Sequence, residues 1–168
     1  MKSKAPAVFP KKLLSVSLEG IEMDDVNLAK AKLHDVSLEE ATFEDVSLNQ
    51  AKVSNASFNG AHFEDVNFIK AKAHNISFEQ AEIDDAEFGR AKINNASFAK
   101  AKLDDVTFAE AKITNTSFQN TVIDDTNLAN ATIKNSSLVG VKIQGCAIDG
   151  LTINGIRIDE LLEKRKKS

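Results

Sequence analysis

Carboxylates recur in adjacent pairs at intervals of twenty residues: Asp24 and Asp25, Glu44 and Asp45, Glu64 and Asp65, Asp84 and Asp85, Asp104 and Asp105, Asp124 and Asp125. Paired acids are the raw material of general acid–base catalysis and of hard-cation binding. A basic series shares the interval: Lys30 and Lys32, Lys52, Lys70 and Lys72, Arg90 and Lys92, and Lys112, interrupted by Gln50 and Glu110. A third series is nearly neutral, with Asp35 followed by Asn55, Asn75, Asn95, Asn115 and Asn135. The remaining chemistry-bearing residues are His34, His62, His74, Cys146 and a run of serines from Ser17 through Ser57 and Ser97 to Ser137. What any of these groups does depends on the backbone that positions them.

That backbone has a period of five. Stepping from Leu18 meets Met23, Leu28, Leu33, Leu38, Phe43 and Leu48, and continues without insertion through Phe98 and Phe118 to Ile158. Two residues earlier runs a small series, mostly Ala or Val (Ala31, Ala41, Ala51, Ala101), with Thr116, Thr121, Thr126 and Ser136 later. Five matches neither the 3.6 of a helix nor the 2 of a simple strand. It suits a coil in which each unit makes one short side and one corner. The large residue and the small one two before it point inward, and the residue between them points out. Asp, Asn and Gly crowd the corners (Asp25, Asn95, Gly60, Gly140), as turn chemistry favours.

The chain here resembles the pentapeptide repeat family, whose motif is roughly A(D/N)Lxx, over about residues 16 to 160. The resemblance implies an all-β solenoid, a right-handed quadrilateral parallel β-helix with four pentapeptides per coil. It departs from the consensus in using Lys, Ser or Thr where Asp or Asn is common, at a position that faces solvent. About seven coils at the strand spacing of about 4.8 Å give a rod on the order of 35 Å long. Phe58, Phe78, Phe98 and Phe118 then form one internal column, and Phe68, Phe88 and Phe108 the opposite one. Residues 1–15 are expected to be an N-terminal cap, with Val8, Phe9, Leu13 and Leu14 as its lid, and residues 16–158 the β-helix. Residues 159–168 are expected to form a capping helix and basic tail, with Asp159 as N-cap and Leu161 and Leu162 covering the last coil.

On such a rod the catalytic readings weaken. Catalysis needs a nucleophile with a base, or convergent ligands, in a concavity, and a convex rod supplies none. His34 and His74 fall two coils apart, roughly 10 Å, too far to share a metal. His62 stands alone, Cys146 lies in the small inward series as a buried thiol, and no base recurs beside the serines. No glycine-rich phosphate loop is present. Neither an enzyme activity, a cofactor, a metal nor a small-molecule substrate is expected.

Bulk properties agree. The chain has 168 residues, 42% hydrophobic and 27% charged, with a net charge of −4 and a single cysteine. No global basic charge draws it to nucleic acid or to a membrane, and direct binding to either is not expected. One cysteine allows no internal disulfide, which fits a reducing compartment and a soluble, cytoplasmic, bacterial protein. No apolar run approaches the roughly 18 residues of a membrane span.

The acidic edge still calls for an explanation. Unit charges about 5 Å apart repel by roughly 1 kcal/mol in water and about 3 kcal/mol at an effective dielectric of 20. Asn satisfies the same corner without that repulsion. One explanation is solubility plus attraction across a face to the basic edge; the other is an interaction stripe. Two carboxylates per coil is about one charge per 2.4 Å, near the roughly one per 1.7 Å of duplex DNA. Resemblance to the topoisomerase-protecting members would imply DNA mimicry toward gyrase, although this chain lacks the loop insertions of many such members. The expected function is a non-enzymatic binding or scaffold protein that shows charge-striped faces to an unidentified protein partner, as a monomer or weak end-to-end dimer. The alternative is a DNA-mimicking modulator or protector of a type II topoisomerase.

Overall fold

The computed structural model describes residues 12–166. From Lys12 to Ile153 the chain winds as a right-handed solenoid in which strand residues stack on those twenty positions later. On one face Lys12–Ser17 pairs in parallel with Lys32–Ser37, then with Lys52–Ser57, Lys72–Ser77 and Lys92–Ser97, and on to Thr152–Ile153. On the face half a coil away, Glu22–Asp24, Thr42–Glu44, His62–Glu64, Glu82–Asp84, Lys102–Asp104, Val122–Asp124 and Lys142–Gln144 form a seven-stranded parallel sheet. The other two faces are held by shorter contacts, such as Val66–Asn67 on Ala86–Glu87 and the Ser97, Ser117 and Ser137 bridges.

The corners explain why the period is five. Every fifth residue adopts a left-handed backbone, with φ of 53° at Asp25, 62° at Lys30, 54° at Asp35 and 54° at Glu40. Asp, Asn and Gly enter that region cheaply; for longer side chains it costs on the order of 1 kcal/mol. Two corners of each coil are closed by a local bond, as in Ala31 N–H to Leu28 O (2.9 Å) and Ala61 N–H to Phe58 O (3.1 Å). Corner N–H groups also donate to the next coil, both there (Lys30 N–H to Asn49 O, 2.8 Å) and at the acidic corner (Asp25 N–H to Glu44 O, 3.1 Å; Asp45 N–H to Glu64 O, 3.2 Å).

Inside, aromatic stacking repeats the coil spacing. Phe58, Phe78, Phe98 and Phe118 stack with centroids 4.9–5.1 Å apart, and Phe68, Phe88 and Phe108 at 4.6 and 4.9 Å. The two columns touch edge to face, with Phe78 and Phe88 at 6.3 Å and 89°, the geometry that ring quadrupoles favour. A third stacked pair, Phe43 on Phe63 at 4.6 Å, extends the aromatic core to another side.

The ends depart from expectation. Val8 and Phe9 lie outside the described residues. Strand pairing already begins at Lys12: Leu13 is buried in register with Leu33, and Leu14 points outward, 47% exposed, in register with His34. These two leucines are thus part of the first coil rather than a lid. At the far end Asn154 and Gly155, both at positive φ, reverse the chain so that Ile156–Arg157 pairs antiparallel with Thr152–Ile153. That short hairpin blocks the sheet edge that a further coil would have extended. The helix Ile158–Lys166 follows, but Leu161 stays 52% exposed and Leu162 44%, so neither seals the end. Ile158 packs on the core instead, and an apolar groove lined by Ile143, Ile148, Leu151, Ile153 and Leu162 remains beside it. Asp159 lies in the helix's first turn; its carboxylate accepts from Gly150 N–H (2.9 Å) and from the Arg157 guanidinium, pinning the helix to the last coil.

Candidate interaction edge

Strand alternation and left-handed corners together position the acids. Met23 and its equivalents point inward, so the residue after each, at Asp24, Glu44, Glu64, Asp84, Asp104 and Asp124, points outward. The next residue, at Asp25, Asp45, Asp65, Asp85, Asp105 and Asp125, occupies the left-handed corner. Asp24 is in register with Glu44, Glu44 with Glu64, Asp84 with Asp104, and Asp104 with Asp124. All the corner aspartates are exposed; Asp104 and Asp124 are half-buried. The structure therefore brings together the twelve carboxylates in two adjacent ladders.

The crowding bears on one carboxyl at the centre. The carboxyl of Asp85 is raised above its ordinary value, first by the negative charge of Asp65 beneath it, then by partial desolvation and by Asp105 and Asp84. The Asn corner lacks this conflict, because amides pair: Asn55 Nδ2 donates to Asp35 (2.9 Å) and Asn75 Nδ2 to Asn55 (3.0 Å).

Two side chains on the acidic face itself approach the carboxylates. Lys102 Nζ lies 3.0 Å from Asp104, which raises the lysine's pKa through that hydrogen bond and charge. His62 sits 3.7 Å from both Glu64 and Glu82. Both residues occupy the outward position two before an acid pair, a place that alternation marks in the sequence although the corner-by-corner grouping passes over it.

The basic series divides in two. Lys30, Lys70 and Arg90 stand on a left-handed corner, where Arg90 forms a fork on Glu110 through Nε (3.0 Å) and Nη2 (2.9 Å). That pairing raises the arginine and lowers Glu110. Lys32, Lys52, Lys72, Lys92 and Lys112 instead lie on the adjoining flat face, Cα in register with one another and with Lys12. Lys12 belongs to the same row, one coil before the residues that the sequence pattern singled out.

The other candidates scatter. His34 Nδ1 meets Ser54 Oγ (2.8 Å) and His74 Nδ1 meets Asn94 Oδ1 (3.0 Å), each pairing with its own neighbouring coil. Ser57 and Ser97 donate to Glu39 (2.7 Å) and Glu79 (2.8 Å). No group of three metal-ligating side chains forms among the described residues. Cys146 is half-buried rather than buried, because it lies in the last coil with no further layer above it; desolvation raises its thiol. No described helix is long and apolar enough to cross a membrane.

Residues 41–118 match the family model described as a pentapeptide repeat region. That stretch belongs to the pentapeptide repeat family. Among solved structures, trypsin-treated QnrB1, a plasmid-mediated fluoroquinolone resistance protein, is similar at 16% identity and a TM-score of 0.42, with 100% of this chain and 99% of that one covered. HetL, a pentapeptide repeat protein involved in heterocyst differentiation regulation from the cyanobacterium Nostoc sp. strain PCC 7120, matches at 14% identity and a TM-score of 0.23, covering 84% and 90%. A pentapeptide repeat protein from the Arabidopsis thaliana thylakoid lumen matches at 16% and 0.34, covering 94% and 77%. No curated protein matches the chain. Function does not follow from a shared fold, and must be argued from the surface.

Proposed function

We propose that this protein is a non-enzymatic binding or scaffold protein whose acidic edge, centred on Asp65, Asp85 and Asp105, engages a protein partner. The supporting observation is the register that stacks Asp24 on Glu44, Glu44 on Glu64, and Asp84 on Asp104, with the exposed corner aspartates beside them. The ladder keeps charges that oppose one another at a corner whose backbone donor is already satisfied by the next coil. The neutral corner, on the same rod and at the same φ, uses Asn. Carboxylates retained against local electrostatics are explained by a partner with a basic surface.

The test is a low-salt pull-down comparing wild type with a variant carrying Glu64→Gln, Asp65→Asn, Asp84→Asn, Asp85→Asn, Asp104→Asn and Asp105→Asn. A partner held only by wild type supports the reading; identical partner sets from both proteins would sink it. The regular spacing of carboxylates favours one more specific version, in which the stripe imitates a DNA backbone toward a type II topoisomerase. Capture of gyrase subunits by wild type alone supports that version. Lys102 on the acidic face weighs against it, since its charge interrupts a field that a DNA mimic would keep uniform.

A further inference from the structure

Six lysines, Lys12, Lys32, Lys52, Lys72, Lys92 and Lys112, form a straight exposed row on one flat face, each in register with the next. Among the described residues, Lys32, Lys52, Lys72, Lys92 and Lys112 take part in no ion pair. Like charges about 4.8 Å apart along strands oppose one another just as the acids do. The flanking outward row, His34, Ser54, His74, Asn94 and Thr114, supplies no carboxylate.

The two charged ladders are placed to meet in a second copy. The lysine strands start ten residues, half of a twenty-residue coil, before the acidic strands begin, so the two rows lie on opposite faces. Along the chain, Asp24 closes one face, residues 26–28 cross the next, and Lys30 and Lys32 open the third. Both rows therefore flank the same intervening face. Sliding one rod sideways onto another, without rotation, sets the lysine row directly over the acidic row. Both rows run through six coils at one pitch, so a further slide of about 3 Å along the axis brings each lysine level with the acid pair twelve residues after it in sequence, Lys12 with Asp24 and Lys112 with Asp124. We infer that this protein self-associates laterally, the lysine face of one copy seated on the acidic edge of the next.

The occupant follows from this match of pitch. A single-stranded nucleic acid would want stacking surfaces, yet Phe43 through Phe118 are buried and the sequence has neither Trp nor Tyr. An acidic ladder on stacked strands is what fits, and another copy carries one. Because the two surfaces are on opposite faces, the contact is heterologous and leaves a free ladder at each end of any assembly. The inference rests on the acidic edge being an interaction surface, and names its partner as the lysine face.

Sedimentation velocity of the full chain tests it. At roughly 10 mM salt, where charges act over about 30 Å, wild type is expected to form species that grow with concentration; at roughly 1 M, where the range is about 3 Å, they should dissolve. A variant with Lys52→Gln, Lys72→Gln and Lys92→Gln, and the sixfold amidated variant described above, should each run as monomers. Mixed in equal amounts, they should form a heterodimer and nothing larger, because each retains one half of a single junction. A wild type that stays monomeric at low salt, variants that associate as wild type does, or a mixture that forms no complex would each overturn the inference. If self-association fails while amidation still strips a partner from the pull-down, only the inference falls. If both fail, the proposed function falls with it.

Discussion

Asp85 stands one coil above Asp65 on the acidic corner, and the lower carboxylate is the largest influence holding the upper one above its ordinary value of 3.8. The pair lies on a rod that offers the same corner geometry with paired amides at Asn55 and Asn75, which makes the choice of charge separable from the demands of the fold.

The sign of the pH effect follows from this pair. A carboxyl raised in the folded state binds its proton more readily there, so stability falls as pH rises from 3.8 through the raised value. Asp85→Asn should therefore raise the unfolding midpoint at pH 7 and lose that advantage below about pH 3. Glu110 acts oppositely: lowered by Arg90, it adds stability above its ordinary 4.5 that is lost as pH falls through its depressed value. Glu110→Gln should be slightly destabilising at pH 7 and neutral in strong acid. Urea melts of both variants across pH check both signs.

Phe98 touches Phe78, Phe88, Phe108 and Phe118, at 4.9, 6.5, 6.2 and 5.1 Å between centroids. Phe98→Ala should cost about 3–5 kcal/mol, since a layer fixed by coils above and below collapses little around the cavity. Equilibrium unfolding in urea measures the loss.

Ala73 interrupts an inward row of Leu33, Val53, Ile93 and Ile113, and a small apolar void of about 10 Å³ lies among Val53, Phe58, Phe78 and Ile93 beside it. Ala73→Val should stabilise by about 0.5–1 kcal/mol as a cavity-filling change. A thermal melt shows the shift, and a loss would mean that the layer is already full.

Lys100 holds a left-handed corner at φ 61°, where a long side chain gains nothing from the backbone it occupies. Lys100→Asn should stabilise by roughly 0.5–1 kcal/mol. Comparing it with Asn120→Lys, one coil on at φ 57°, should show the opposite sign.

Most of the fold is legible because the five-step alternation of large and small inward residues tolerates no other backbone. The corners are legible where Asp, Asn or Gly stands, and obscure at Lys30 or Arg90, whose own preferences argue against left-handed φ and are overridden by the neighbouring coils. The terminal reversal was available in the Asn154–Gly155 pair, a strong short-range hairpin signal. The reach of the last helix was not: an apolar side at Leu161 and Leu162 says which way a helix wants to lie, but not how much of the coil it covers. Of the candidate surface, the acidic ladder can be read directly by grouping residues in twenties. The place of Lys102 and His62 beside it, and the division of the lysines between a corner and a flat face, depend on which outward positions share a strand.

We propose that the acidic edge is kept for binding and not for the fold. Urea unfolding at pH 7 and low salt tests it most directly, with wild type set against the variant amidated at Glu64, Asp65, Asp84, Asp85, Asp104 and Asp105. The expected result is a midpoint equal to or above that of wild type, with an unchanged slope. A midpoint clearly below wild type would show that the carboxylates hold the corners together, and would contradict the account.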